Sequence, residues 1–254
     1  LMIYKLPVDV KREHATALHE TNYSYKRSEE LVDDLKLLHK ELTKYGAINI
    51  ANNDVNRAIR IIQTFGFFLA HLDIRQNSSF HDKAISQLMN SASLDGDKWI
   101  SWDESEKMKF ITKELKSARP FTHSRVVLDK EAEAVISCYK VLADHIEQYS
   151  IRGLGSLIVS MTRNTSDLLV VCLLAREAGL IKQINGYYIC PLQVVPLFET
   201  IDDMKNSPDI LKNFLKHPFI QNSLKYQMEE YGFERPVQQV MIGYSDSNKD
   251  CGIF

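Results

Sequence analysis

The sequence predicts an α/β fold, one helix-rich parallel βαβ unit with about four parallel strands and many helices, half the strand count of a (β/α)8 barrel. Three observations predict it. Four short apolar runs rich in β-branched residues each open at their carboxyl end into polar residues. Helical periodicities fill the stretches between them. No internal repeat, low-complexity segment or Gly/Ser-rich linker divides residues 1–254, so the chain is expected to be a single unit.

In chain order, Leu31, Leu35, Leu38 and Leu42 recur at helical spacing over Ser28 to Leu42. Glu29, Glu30, Asp33 and Asp34 lie early, Lys40 and Lys44 lie late, as the helix dipole favours, and Gly46 closes the element. A second helix is expected from the Asn52-Asn53-Asp54 cap, with Val55, Ile59 and Ile62 on one face, ending before Gly66. Phe67 to Ile74 has the apolar content of a buried strand running into Arg75-Gln76-Asn77-Ser78-Ser79, and a helix follows around Ala84, Ile85, Leu88 and Met89. His71, inside that run, is expected to be a hydrogen-bonded core or interface group.

Asp95 to Arg125 is more polar and predicts a helical excursion that carries Trp99, Trp102, Met108, Ile111 and Leu115 and breaks at Arg119-Pro120. Lys130 to Tyr149 is one of the clearest amphipathic helices, with Ala132, Val135, Ile136, Tyr139, Leu142 and Ile146 on its apolar face. Beyond Gly153 and Gly155, Leu157 to Met161 predicts the second strand. Thr162 to Ser166 is then a polar turn, and Asp167 to Ala178 an apolar helix stopped by Gly179. The third strand is expected over Gln193 to Phe198, with Pro196 at an irregularity, ending on Glu199-Thr200 before an acidic helix start. The fourth, Val240-Met241-Ile242, opens through Gly243 into Tyr244-Ser245-Asp246-Ser247-Asn248-Lys249-Asp250.

Composition narrows the function classes. Thirty-one basic against 33 acidic side chains leave a net charge of −2, which gives no bulk electrostatic case for nucleic acid or an anionic membrane. No run approaches the ~18 apolar residues of a membrane span, and the start is too short for a secretory apolar core, so a cytoplasmic protein is expected. Cys138, Cys172, Cys190 and Cys251 are widely spaced and form no C-x-x-C pair, which favours reduced thiols. Met at position 2 and the end at Phe254, just past a loop full of chemistry, point to a piece of something longer.

Parallel strands present their C-termini in one direction, so Arg75, Met161 with Thr162, Glu199, and Asp246 with Lys249 are expected to converge. Two carboxylates from different strands, with oxygen donors nearby and no His or Cys at ligand spacing, suit Mg²⁺ or Mn²⁺ rather than zinc. Arg75 offers a bidentate fork for phosphate or carboxylate. Each group also has a plainer role when taken alone. Glu199 could be a carboxylate at a helix N-terminus, Arg75 the partner of Asp73 or a glutamate, Asp246 to Asp250 an Asx-rich turn, and Lys249 a solvated charge. Shared position at strand ends is what favours the joint functional reading. The Ser245-Asp246-Ser247 trio lacks a nucleophile elbow.

Four segments then carry a resemblance: Phe65-Gly66-Phe67 through Ile74-Arg75-Gln76; Ile158 to Met161 with Ser166-Asp167; Val195-Pro196-Leu197-Phe198-Glu199-Thr200; and Gln239 through Asp250. In order and spacing, from about residue 28 to the end, the chain resembles the phosphoenolpyruvate carboxylase family. The resemblance implies a lyase that joins phosphoenolpyruvate and bicarbonate to give oxaloacetate and phosphate, on a helix-rich TIM-type barrel assembled as a homotetramer. It implies Glu199 and Asp246 as ligands of the divalent metal, Arg75 as a grip on the substrate phosphate, and Lys249 as a catalytic residue. In the family, bicarbonate attacks phosphorus to give carboxyphosphate, and the carbon dioxide released from it is captured by the enolate. A Thr-Ala-His-Pro-Thr motif that holds a family histidine is absent, as is a Gly- and Arg-rich loop that follows the Ser-Asp-Ser segment. The chain is therefore expected to be a central piece, inactive alone and prone to self-association through unpaired strand edges. The alternative is a non-catalytic helical scaffold or assembly module that retains barrel motifs for folding.

Overall fold

The computed structural model describes residues 24–68, 70–122 and 126–244. Asp246 and Lys249 lie outside the described residues, as does Cys251. The chain forms two compact units, one from residues 1–71 with 147–153, the other from 72–146 with 154–254.

In the first unit, α1 (Ser28–Tyr45) ends on Gly46 in the left-handed conformation, whose N–H reaches back to the last carbonyls. A π-helical turn, Ile50–Val55, feeds α2 (Asn56–Phe65). Val32, Val55 and Ile59 form the core here, and Leu35, Leu42 and Ile62 pack against it; the periodicity anticipated all of these but Val32, and Leu38, expected on the same face, is exposed instead.

The second unit is built on a sheet. Its described strands are β1 (Leu72–Asn77), β2 (Leu154–Ser160), the hairpin β3 (Lys182–Ile184) and β4 (Tyr187–Ile189), β5 (Val194–Phe198) and β6 (Met241–Ile242). Between them run α3 (Ser78–Ser91), the short α4 (Gly96–Trp99), α5 (Glu104–Glu114), α6 (Lys130–Gln148), α7 (Thr165–Glu177), α8 (Ile201–Lys216) and α9 (Pro218–Tyr231). Strands β1, β2, β5 and β6 form a parallel four-stranded sheet in that order. Each strand thus pairs with the one that precedes it in the sheet, through a helical crossover and without reversal. The strand order does not reverse along the chain, which is consistent with part of a barrel.

Register assigns the two faces. Leu157, Val159, Val194 and Phe198 are buried toward the helices, where α7 is buried along almost its whole length. The opposite face carries Arg75 beside Ile158 and Val195, and then Leu197 on β5 and Glu199 just past its end. Ile158, Val195 and Leu197 cluster there, while Ser156, Gln193 and Gln239 add a polar belt: Ser156 Oγ donates to Gln239 Oε1 at 3.0 Å and Gln193 Nε2 to the Val237 carbonyl at 2.7 Å.

Three expectations are corrected. The first strand is not Phe67 to Ile74 but Leu72–Asn77, and it lies at the sheet edge with Leu72 67% exposed. The apolar run divides between the units: Phe68 lies over Gly66 and Gly153 in the first, and only the residues from Leu72 enter the sheet. His71 is exposed rather than a core group, because it precedes the strand. Pro196 makes no irregularity. Alternation points its missing donor toward β6, whose pairing begins only at Leu197, so no ladder bond is lost.

Candidate active site

Arg75 and Glu199 meet at the C-terminal end of the sheet. Arg75 stands on β1 and Glu199 follows β5, with β2 between them, yet Arg75 Nη2 donates to Glu199 Oε1 at 2.5 Å. The guanidinium is half exposed, whereas the Glu199 side chain keeps 8% of its surface. A near-buried carboxylate therefore faces a cation that retains access to solvent.

Local sequence explains why Glu199 is held so firmly. Thr200 caps α8: its Oγ1 accepts the Asp203 N–H at 3.1 Å, and Asp203 Oδ2 accepts the N–H groups of Thr200 at 3.1 Å and Glu199 at 3.3 Å. The Glu-Thr-Ile-Asp-Asp stretch thus fixes the backbone at the strand-to-helix corner. From the other side, the Met161 N–H donates to Glu199 Oε2 at 3.3 Å. Met161 has φ +56°, uncommon for a side chain of its size, and Ser78 Oγ binds its carbonyl at 2.7 Å. This turn spends backbone strain on aiming an N–H at a carboxylate. Gly243 leaves room for the same group: a Cβ there would stand 3.0 Å from Glu199 Cγ.

A second polar cluster lies beside the β2–α7 turn. Arg163 Nη2 binds Asp82 and Asp167 at 2.9 Å each, and Asp82 also accepts from Trp99 Nε1 at 2.8 Å and Lys107 Nζ at 3.2 Å. Burial pushes the Asp82 carboxyl up, but these donors together outweigh it and hold it below the ordinary range. Ser166 donates both N–H and Oγ–H to Glu104, whose carboxyl burial nevertheless raises. Asp82, Arg163 and Lys107 did not stand out in the sequence, since single charges on separate helices and a turn carry no signal of mutual contact.

Of the four sequence-predicted site residues, the structure brings Arg75 and Glu199 together, and Asp246 and Lys249 fall outside the described residues. Their strand, β6, is placed: it pairs with Leu197 and Phe198, and the Gly243 N–H donates to the Phe198 carbonyl at 3.0 Å. The chain thus leaves β6 immediately beside Glu199. Among the described residues, no group of three or more His, Cys, Asp or Glu side chains gathers as a metal cage, and no helix is long and apolar enough to cross a membrane.

A parallel α/β sheet with a guanidinium and a near-buried carboxylate brought together toward its strand C-termini defines the class as an α/β protein with a charged pair at the end of the sheet where such folds place their ligands. Comparison with known proteins is more specific. Residues 6–254 match the family model of phosphoenolpyruvate carboxylase, and the chain belongs to that family. It is 36% identical over 230 residues to a phosphoenolpyruvate carboxylase of Prochlorococcus marinus subsp. pastoris, a match that covers 91% of this chain and 22% of the relative. With the enzymes of that name from Synechococcus sp. and Aromatoleum aromaticum it shares 34% and 32% identity, over 91% and 89% of this chain. The chain spans about a fifth to a quarter of the length of these relatives, 21% and 24% for the last two.

Proposed function

We propose that this chain is part of a lyase that carboxylates phosphoenolpyruvate with bicarbonate to yield oxaloacetate and phosphate, its sheet forming an arc of a closed (β/α)8 barrel. The observation that carries this reading is the family match over residues 6–254. The meeting of Arg75 and Glu199 at the strand ends supports it.

The residues fit a hard divalent ion, Mg²⁺ or Mn²⁺. Glu199 presents a near-buried carboxylate whose oxygens each have two lone pairs, and the half-exposed Arg75 can turn away from it. Glu199 with Asp246 would hold the ion, which when bound supplies electrostatic stabilisation of anionic oxygens. Arg75, released from Glu199, would direct its fork at the substrate phosphate, and Lys249, three residues beyond Asp246, would bring an ammonium to the same mouth. The Met161 N–H and the α8 cap would keep Glu199 oriented throughout. The whole enzyme would be a cytoplasmic homotetramer, and this chain alone would be inactive.

Titration calorimetry with Mn²⁺ tests the site. The native chain is expected to bind at least about ten-fold more tightly than Glu199→Ala or Asp246→Asn, in line with the loss of one charged ligand. Equal affinities would favour a scaffold that keeps barrel motifs for folding. An assay that consumes oxaloacetate, run beside a full-length relative, tests the rest: turnover by this chain at the relative's rate would overturn its inactivity.

A further inference from the structure

One feature of the second unit that this chemistry does not use is a cavity of about 240 Å³ where α5, the β3–β4 hairpin and the start of α9 meet. Leu115, Tyr187, Tyr188 and Phe219 give it apolar walls, and Lys116 stands on its lining with Thr112. None of its lining residues is acidic. Next to it, a shallower depression adds Lys109 and Lys113 of α5 and shares Thr112 and Lys116, so the approach to the cavity is basic.

Two further observations point to a negatively charged occupant. α9 runs for 14 residues from Pro218, and its first turn has no side-chain cap among the described residues, so its positive dipole end is unopposed there. His217, the residue at that cap and part of the lining, is 8% exposed. Its Nε2 lies 3.2 Å from Thr112 Oγ1, and its buried Nδ1 has no partner among the described residues. A buried polar nitrogen without a partner is costly, and the ring that carries it belongs to the cavity lining.

We propose that this cavity is a binding site for a small organic anion with a flat apolar body. The carboxylate or phosphate lies at Lys116 and the α9 N-terminus, and the body lies between Leu115 and the tyrosine rings. Mixed walls of this kind, apolar with a few convergent polar groups, are what small-molecule sites present. The site is separate from Glu199, since α8, 16 residues and roughly 24 Å long, connects the Glu199 corner to His217. It does not depend on the carboxylase reading.

Benzoate is the probe, with benzyl alcohol as its uncharged analogue and inorganic phosphate as an anion without a body. Burial holds the His217 pKa below its ordinary value, so the ring is neutral near pH 7, with Lys116, Tyr187 and Tyr188 the other titratable groups on the lining. Histidine-resolved NMR of the chain is expected to show saturable benzoate shifts at His217 and a rise in its pKa on binding. Benzyl alcohol should bind at least about ten-fold more weakly, the difference one favourable charge contact makes. Lys116→Gln should lose at least about five-fold in benzoate affinity, while Lys205→Gln on α8, which lines neither the cavity nor its approach, should not change it. Equal binding of benzoate and benzyl alcohol, tighter binding of phosphate than of benzoate, an unchanged Lys116→Gln, or no shift at His217 would each overturn the proposal.

Discussion

At the scale of single residues, buried groups show how position rather than identity sets chemistry. His81 is 1% exposed on α3, with Nε2 3.5 Å from Tyr139 Oη of α6 and Nδ1 unpartnered among the described residues. Burial pushes its pKa down to about 4, against a smaller opposing pull from Asp82. The folded pKa lies below the unfolded value of about 6.5, so the unfolded chain binds the extra proton between those two pH values. Stability from this group is therefore full above pH ~6.5 and lost as pH falls toward ~4. Urea denaturation at pH 7 and pH 5 is expected to show about 2 kcal/mol more acid loss in the native chain than in His81→Gln. An equal loss in both would show that His81 titrates normally. Nothing in the segment Ser79-Phe80-His81-Asp82 announced this burial, because it depends on α6 closing over α3.

At the scale of elements, local chemistry wrote most boundaries into the sequence, and tertiary contacts moved the rest. Gly46 and Gly232 end helices in left-handed conformations, and the Asp103 and Thr200 caps start them, all from signals a reader can find. The Asn185-Gly186 turn, at φ +50° and +83°, is a strong hairpin signal flanked by strands of three residues. Sequence reasoning passed over it because strands that short have no periodicity. β1 shows the opposite case, an apolar run whose parts belong to different units. Its entry is fixed by a bulge: Asp73 Oδ1 takes the Ser156 N–H at 2.8 Å while the register with β2 shifts between Leu72 and Ile74. Gly155 makes that approach possible, since a Cβ there would run into the Asp73 carboxylate and stand 3.1 Å from its backbone nitrogen. Gly155→Ala is expected to cost about 1–3 kcal/mol in urea denaturation, the ordinary cost of overpacking, and a change within about 0.5 kcal/mol would show that β1 shifts freely.

For the whole molecule, the sheet is the consequence. No described strand pairs with the outer edge of β1 or of β6, and Leu72, Ile242 and Met241 are 67%, 60% and 38% exposed there. Open edges with apolar side chains recruit other strands. The chain is expected to self-associate, and light scattering after size exclusion at micromolar concentration should give a mass above the 29.2 kDa of one copy. A clean monomer would show that the edges are protected. The sequence by itself determined the parallel α/β class, most of the helix faces and the place of Glu199 just past a strand, because periodicity and polar run-ends are local properties, whereas Arg75, expected at a strand end, lies inside β1, which runs on to Asn77. Only the tertiary structure decided that Arg75 reaches across β2 to Glu199, that a strained Met161 steadies the same carboxylate, and that His217 lies in an apolar cavity beside Lys116. Those contacts join segments 38 to 124 residues apart, and no local pattern encodes which distant side chain will fill a given space.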